Sequence, residues 1–315
     1  MQMKSSKKGL SSLMKLENLL LEAAKIAGIT VAVASPEDEE VIEAIREAIA
    51  HNLARFLLFG DKEKIETLLV EKECNRDFVE IIHTRSKEQS AQMAVRAVHQ
   101  NEASVLMKGN LPTSTLLKAV LNKEYGLRTG KVLSHVSVFE VPHYSKFTIL
   151  TDAAMNIAPD LTQKEQIINN SVEVARSIGI DCPKVAVLAA VEVINPTMQA
   201  TIDAASLTVM NKRGQIRDCL VEGPLALDNA ISIDSARQKG IESEVAGAAD
   251  ILLVPTIEVG NTLYKSLIYF AKAKVGAVIA GAKAPIVLTS RSDSSESKLY
   301  SLALAICTSE KGKTF

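Results

Sequence analysis

At 315 residues the chain is long enough for two domains of ordinary size or for one large α/β unit. Aromatic content is 4 % and Trp is absent, whereas aliphatic residues abound, a composition that suits Val/Ile/Ala-rich parallel strands covered by helices. The formal net charge is -1 and there is no basic block with interleaved aromatics, so nucleic acid is not expected as a partner.

Cysteines 74, 182, 219 and 307 are scattered and form no CxxC pair. That argues against a zinc site or a disulfide framework and fits a reducing cytoplasm; no metal is expected. The Ser/Lys-rich start, Met1 to Lys15, lacks the apolar core of a signal peptide, and no later run approaches membrane-spanning length. A soluble cytoplasmic protein without a membrane partner is expected.

In chain order, Leu16 to Ala27 has helical spacing and ends at Gly28, and 29–34 reads as a first strand. Ser35-Pro36-Glu37-Asp38 then starts a helix, with Ser35 as cap and Pro36 in the first helical position. Strands come next at 55–59, 79–83 and 104–107, each leading into a helix. The helix after His83 is announced by a Ser86/Gln89 box, the one after Met107 by the loop Lys108 to Thr115. Repeated βα units predict a parallel sheet flanked by helices, with ligands beyond the carboxyl ends of the strands. Arg85 and the 109–115 loop lie at such ends. Gly109 permits close backbone approach, Thr113 and Ser114 carry hydroxyls, and Lys118 comes one turn later, yet the Gly-Lys-Ser/Thr ending of a Walker loop is missing.

The texture changes at Lys131. Two strands, 132–139 and 146–151, are joined so closely that antiparallel pairing is expected, and a domain boundary falls here. His135 and His143 have no metal-type partners in spacing, so structural roles are expected. A helix should start at the Thr162/Glu165 box, a strand cover 185–190, and Asn195 cap the next helix. Further strands are expected at 219–224, 251–255, 276–281 and 285–288. Gly260-Asn261, just ahead of a helix over 262–271, is a plausible anion or amide corner.

After the last strand comes Thr289-Ser290-Arg291-Ser292-Asp293-Ser294, with Asp293 and Glu296 at cap and N3 spacing before Leu299 to Ile306. Strand, hydroxyl-rich turn and helix start make an anion site, to which Arg291 adds a planar charge. A solvated, well-capped connection accounts for the same residues.

Several stretches together resemble the phosphate acetyl/butyryltransferase family: Met107 to Thr115, Asp152 to Asn156, Glu192 to Met198, Glu222 to Asp228, Ala249 to Pro255, Glu258 to Asn261 and Leu288 to Arg291. Asn195-Pro196-Thr197-Met198 and the 289–294 turn look more like the butyryl than the acetyl enzymes. The resemblance implies two three-layer α/β/α lobes with mostly parallel sheets and an active-site cleft between them, as in isocitrate and isopropylmalate dehydrogenases. The lobes would span 1–131 with 281–315, and 132–280. It implies reversible exchange of a butyryl group between CoA and inorganic phosphate, so butyryl-CoA, CoA, phosphate and butyryl phosphate are the expected partners. No metal or redox cofactor is required, and a homo-oligomer, dimer or larger, is implied.

Carried over to this chain, Ser290 is the donor toward the reacting carbonyl or thiol, and Arg291 its neighbouring cation. Arg85, Gly109, Thr113, Ser114, Lys118 and Asn261 make the phosphate/CoA-binding set. Two positions depart from the acetyl enzymes. Lys118 stands where they carry an Arg, keeping charge but losing the planar fork. Ser297 stands where they carry an Asp proposed as base, which leaves the base unassigned. Phosphate acetyltransferase and a non-catalytic CoA-binding protein of this fold are the alternatives. A nucleotide-linked oxidoreductase is disfavoured because no GxGxxG succeeds the first strand.

Overall fold

The computed structural model describes residues 15–288 and 293–309. In chain order these form α1 Leu16–Ala24, β1 Thr30–Ala34, α2 Glu39–Ala50, β2 Arg55–Gly60, α3 Lys62–Glu71, β3 Val79–His83, α4 Lys87–His99, β4 Val105–Lys108 and α5 Thr113–Val120. Then come β5 Ser134–Glu140, β6 Thr148–Thr151, α6 Leu161–Ser177, β7 Lys184–Leu188, α7 Gln199–Lys212, β8 Leu220–Leu225, α8 Leu227–Ile231 and α9 Ile233–Gln238. The chain closes with β9 Ile251–Leu253, α10 Ile257–Tyr269, β10 Lys274–Ala280, β11 Ile286–Val287 and α11 Ser295–Thr308. The alternation is that of a mixed α/β protein with mostly parallel strands.

Two compact units emerge. One is contiguous, Val132–Lys274, and the other joins Lys15–Lys131 to the residues from Val275 onward. The second crossing thus falls six residues before the expected 281. The reason lies in β10, whose Ile279 pairs antiparallel with Ile286 of β11 and so draws the strand to that side.

In the discontinuous unit the strand order is β3-β2-β1-β4-β11-β10. Pairings β2/β3, β1/β2, β1/β4 and β4/β11 are parallel. β1 from Val31 to Ala34 and β4 from Val105 to Met107 are apolar and buried, as strands covered on both faces must be. α11 supplies much of this core. From Lys298 to Thr308 every residue is buried, so the helix is apolar nearly all round, and it packs against α1, α2 and β4.

In the contiguous unit the order is β5-β6-β9-β7-β8. β5 and β6 pair antiparallel, Ser137 opposite Leu150, as their short connection predicts, and His143 sits in that connection with φ +65°. β6/β9, β7/β9 and β7/β8 are parallel. Here α6 and α7 are tied by a buried ion pair, Lys164 Nζ to Asp203 Oδ2 at 2.6 Å, with Gln199 Nε2 donating to the other carboxylate oxygen at 2.8 Å.

Apart from α11, described below, four helix starts differ from the sequence reading. Asp38, not Ser35, caps α2, accepting from Val41 N at 3.1 Å. Ser35 is instead buried in the left-handed region, φ +51°, where its N–H donates to Ser90 Oγ on α4. Asp160 with Gln163, rather than Thr162 with Glu165, forms the box of α6. Asn195 folds into an Asx turn that accepts from Thr197 N, so α7 begins beyond it. α10 starts at Ile257, five residues ahead of the expected position.

Candidate active site

The carboxyl ends of β1 and β4 lie side by side, and their connections leave in different directions, β1 toward α2 and β2, β4 toward α5. This is the switch point at which open α/β sheets bind ligands. Backbone contacts hold the two strand exits together. Gly109 N donates to Ala34 O at 2.8 Å, Asn110 N to Ser35 O at 2.5 Å, and Asn110 Nδ2 to Glu37 O at 3.1 Å. A Cβ on Gly109 would collide with the Ser35 carbonyl, lying 2.6 Å from its carbon and 2.8 Å from Ala34 O. The glycine therefore answers to packing between two strand ends, a reason internal to the fold.

From there the chain turns at Pro112 into α5. No side chain caps this helix, and Thr113 and Ser114 are exposed in its first turn. Its leading N–H groups and positive dipole end thus face outward with hydroxyls beside them, an arrangement suited to an anion. Lys118 is exposed in the last turn of this eight-residue helix, where a cation also complements the negative dipole end. Arg85 lies just past β3, exposed, its N–H donating to Gln89 Oε1 at 2.8 Å. Three strand intervals separate β3 from β4, roughly 14 Å at the usual spacing, so Arg85 stands at the margin of the α5 corner.

Ser290 and Arg291 lie outside the described residues; the segment is entered from Leu288 and left at Asp293. On its far side the expected Asp293/Glu296 box is replaced. Ser294 caps α11, accepting from Ser297 N at 3.2 Å, and Glu296 instead accepts from the Tyr300 hydroxyl at 3.0 Å. Lys298 donates to the Asp293 carbonyl. Ser297, at the position of the absent Asp, is 3.2 Å from Ser294 Oγ.

Asn261 belongs to the contiguous unit, exposed on α10, with Nδ2 3.4 Å from Ala153 O. Its neighbour Gly260 is required there, since a Cβ would stand 2.5 Å from Asp152 O and 2.9 Å from Ala153 Cα. Asp152 is 2 % exposed, and its oxygens accept from Ala154 N, Met155 N and Asn156 Nδ2. The Asp152–Asn156 stretch is therefore a pinned turn on which α10 rests. His135 has the structural role expected of it, buried with Nδ1 3.1 Å from Ser137 Oγ and its ring 5.8 Å from that of Tyr264.

Sequence reasoning gave neither Glu192 nor Asn229 a role of its own. Glu192 Oε2 lies 3.3 Å from both Asn229 Nδ2 and Lys239 Nζ, and Asn229 Oδ1 is buried without a partner. Their spacing of 37 residues carries no motif. One groove in the discontinuous unit lies away from the switch point. At about 650 Å³ it lies among α1, α2 and the start of α11, lined by Glu17, Glu43, Glu47 and Glu296. Its acidic wall repels anionic substrates, so the strand-end corner is the better candidate. Cys219 and Cys307 are disfavoured as nucleophiles, because burial pushes their thiols up to about 12. Among the described residues no three His, Cys, Asp or Glu side chains cluster to hold a metal, and no helix is long and apolar enough to cross a membrane.

The fold is that of a phosphotransacylase. A solved branched-chain phosphotransacylase from Enterococcus faecalis V583 matches with TM-score 0.79 and 38 % identity, covering 89 % of this chain and 99 % of that one. Residues 79–306 match phosphate acetyl/butaryl transferase, and the chain belongs to that family. It is 59 % identical to a probable phosphate butyryltransferase of Bacillus subtilis over 95 % of this chain and 99 % of the relative. With a phosphate acetyltransferase of Thermotoga maritima it shares 46 % over 91 % of this chain and 97 % of the relative.

Proposed function

We propose that the protein exchanges a short acyl group, butyryl foremost, between CoA and inorganic phosphate. The likeness to the Bacillus subtilis butyryltransferase, which spans nearly both chains, carries this reading. In the forward direction an oxygen of hydrogen phosphate adds to the thioester carbonyl carbon. Negative charge moves to the carbonyl oxygen, the C–S bond then breaks, and its electron pair leaves on sulfur. The proton of hydrogen phosphate ends on the thiol, whose ordinary pKa is about 8.5. The products are acyl phosphate and CoA. Nothing is oxidised or reduced, so the reading calls for no redox cofactor, and none of its steps requires a metal.

Positioning and fixed charge supply the catalysis. In this reading α5's first turn with Thr113 and Ser114, together with Arg85 and Lys118, receives the phosphate and the CoA phosphates. Gly109 brings α5 to the strand ends, Ser290 donates to the carbonyl oxygen or sulfur, Arg291 balances charge, and Asn261 contributes an amide. A cytoplasmic location suits the CoA substrate. A homo-oligomer is supported by apolar side chains left exposed on and just beyond α10, Val259 at 43 %, Tyr269 at 61 % and Phe270 at 87 %. The likeness to the Thermotoga maritima enzyme favours acetyl as the second substrate. One or two methylenes separate the pair by only about 1–3 kcal/mol.

Thiol release from acetyl-, propionyl- and butyryl-CoA with phosphate tests this, and the highest kcat/KM is expected for butyryl. No phosphate-dependent release from any of the three would sink the reading. Ser290→Ala and Arg291→Ala should each lower kcat by about 100-fold or more, the usual cost of losing one charge-stabilising group. Full activity in both would displace the site from this turn.

A further inference from the structure

The first turn of α11 is held partly from outside the helix. Ser294 caps it locally, but the N–H of Ser295 donates to Glu40 Oε2 at 2.8 Å, on a residue 255 positions away in the first turn of α2. The first amides of a helix have no partner within it, so a carboxylate here satisfies one of them and meets the positive end of the dipole. Glu40 already meets the same end of its own helix. One carboxylate therefore joins two helix starts.

The sheet shows what stands between them. α2 follows β1 and α11 follows β11, and β1 and β11 are the two neighbours of β4. All three strands run parallel, so their carboxyl ends share one edge. β1 and β11 are two strand intervals apart, roughly 10 Å at the usual spacing, and the Glu40–Ser295 bond links the connections that leave them. It reaches across the strand whose exit, at Gly109, packs on the Ser35 carbonyl.

A helix packed along its length does not need such a bond to stay in place. α11 is buried from Lys298 to Thr308 and packs on α1, α2 and β4. The bond instead defines the exposed end of the helix, its first turn, and Ser290 and Arg291 lie only five and four residues ahead of Ser295. Resting on the acyl-exchange reading, we infer that Glu40 is a positioning residue for the Ser290–Arg291 turn. Its carboxylate fixes the start of α11 against the β1 exit, and with it the donors of that turn against the strand-end corner. Groups that stabilise charge by fixed position lose their effect steeply on displacement, and an error of about 1 Å can cost about 100-fold in rate.

The full-length Glu40→Asp and Glu40→Gln proteins test this. Asp keeps the charge on a helix start that favours it but is one methylene too short for the contact, whereas Gln lacks the charge and keeps an oxygen that accepts from Ser295 N–H. Glu40→Asp should lose about 10-fold or more in kcat, with KM for phosphate and for butyryl-CoA each within about threefold of wild type, and Glu40→Gln should keep kcat within about threefold. A Gln protein impaired as much as the Asp protein, or more, makes charge rather than the contact the cause and overturns the inference. Unaltered kcat in Glu40→Asp overturns it too, and a lower melting temperature beside that kcat marks the bond as purely structural. Ser290→Ala and Arg291→Ala proteins that both keep full activity, or wild-type protein that releases no CoA from any short-chain thioester, overturn the reading on which the inference rests. Impaired Ser290→Ala and Arg291→Ala proteins beside an unaltered Glu40→Asp overturn the inference alone.

Discussion

Gly109→Ala isolates the contact on which the strand-end corner depends. The added methyl has no free direction, because the atoms it meets are the backbone carbonyls of Ser35 and Ala34, and backbone cannot rotate aside as a side chain can. Relief requires β4 and β1 to part at their carboxyl ends, which strains the bonds from Gly109 N to Ala34 O and from Asn110 N to Ser35 O. Overpacking costs about 1–3 kcal/mol and each lost hydrogen bond about 1, so a loss of about 3–5 kcal/mol is expected. At about 2–4 °C per kcal/mol, calorimetry should show a melting temperature lower by about 6–20 °C. Gly130→Ala is the control. Its φ is +87° with open space around the new methyl, so only the left-handed penalty of about 1–2 kcal/mol applies. Phosphate KM should rise in Gly109→Ala alone, as α5 shifts with the strand end. A Gly109→Ala protein no less stable than Gly130→Ala would refute the steric reasoning.

Two further outcomes are expected. Lys164→Met leaves the Asp203 carboxylate buried beside only Gln199, so urea unfolding should show a loss of about 3–5 kcal/mol, and adding Asp203→Leu should restore most of it; a double variant no better than the single would contradict this. With the Cys219 and Cys307 thiols held near pKa 12 and Cys74 also raised by burial, an aromatic disulfide reagent at pH 8 should titrate one thiol per native chain, the exposed Cys182, and all four after denaturation. Activity should survive that single modification, and its loss would return a cysteine to the mechanism.

Most of the parallel strands were readable because they are short apolar runs closed by polar or glycine residues, and the β5–β6 pair because its connection is too short for a crossover. The caps were less so. Ser35 and Asp38 are equally good caps in isolation, and the choice falls to Asp38 because Phe59 O and Ser90 Oγ, 55 residues away, hold the Ser35 backbone buried in the left-handed region, ahead of the helix start. Asp293 and Ser294 pose the same ambiguity, resolved by where α11 enters the core. Gly109 was legible as a close-approach glycine, but the partner proved to be the Ser35 carbonyl, a contact that only the β1/β4 register creates. The Lys164–Asp203 pair, 39 residues apart on two helices, leaves no local trace.

The two-residue strand β11 also sets a timetable for biosynthesis. β4 lacks its partner on one side until Ile286 and Val287 are made, roughly 180 residues later, which at about 5–20 residues per second is on the order of ten to forty seconds. The contiguous unit 132–274 is complete before then, so the half of the protein begun first is finished last. Throughout that interval an apolar strand edge and the surfaces of α1 and α2 that α11 will cover stand open to solvent, the state in which a nascent chain is most prone to mispair.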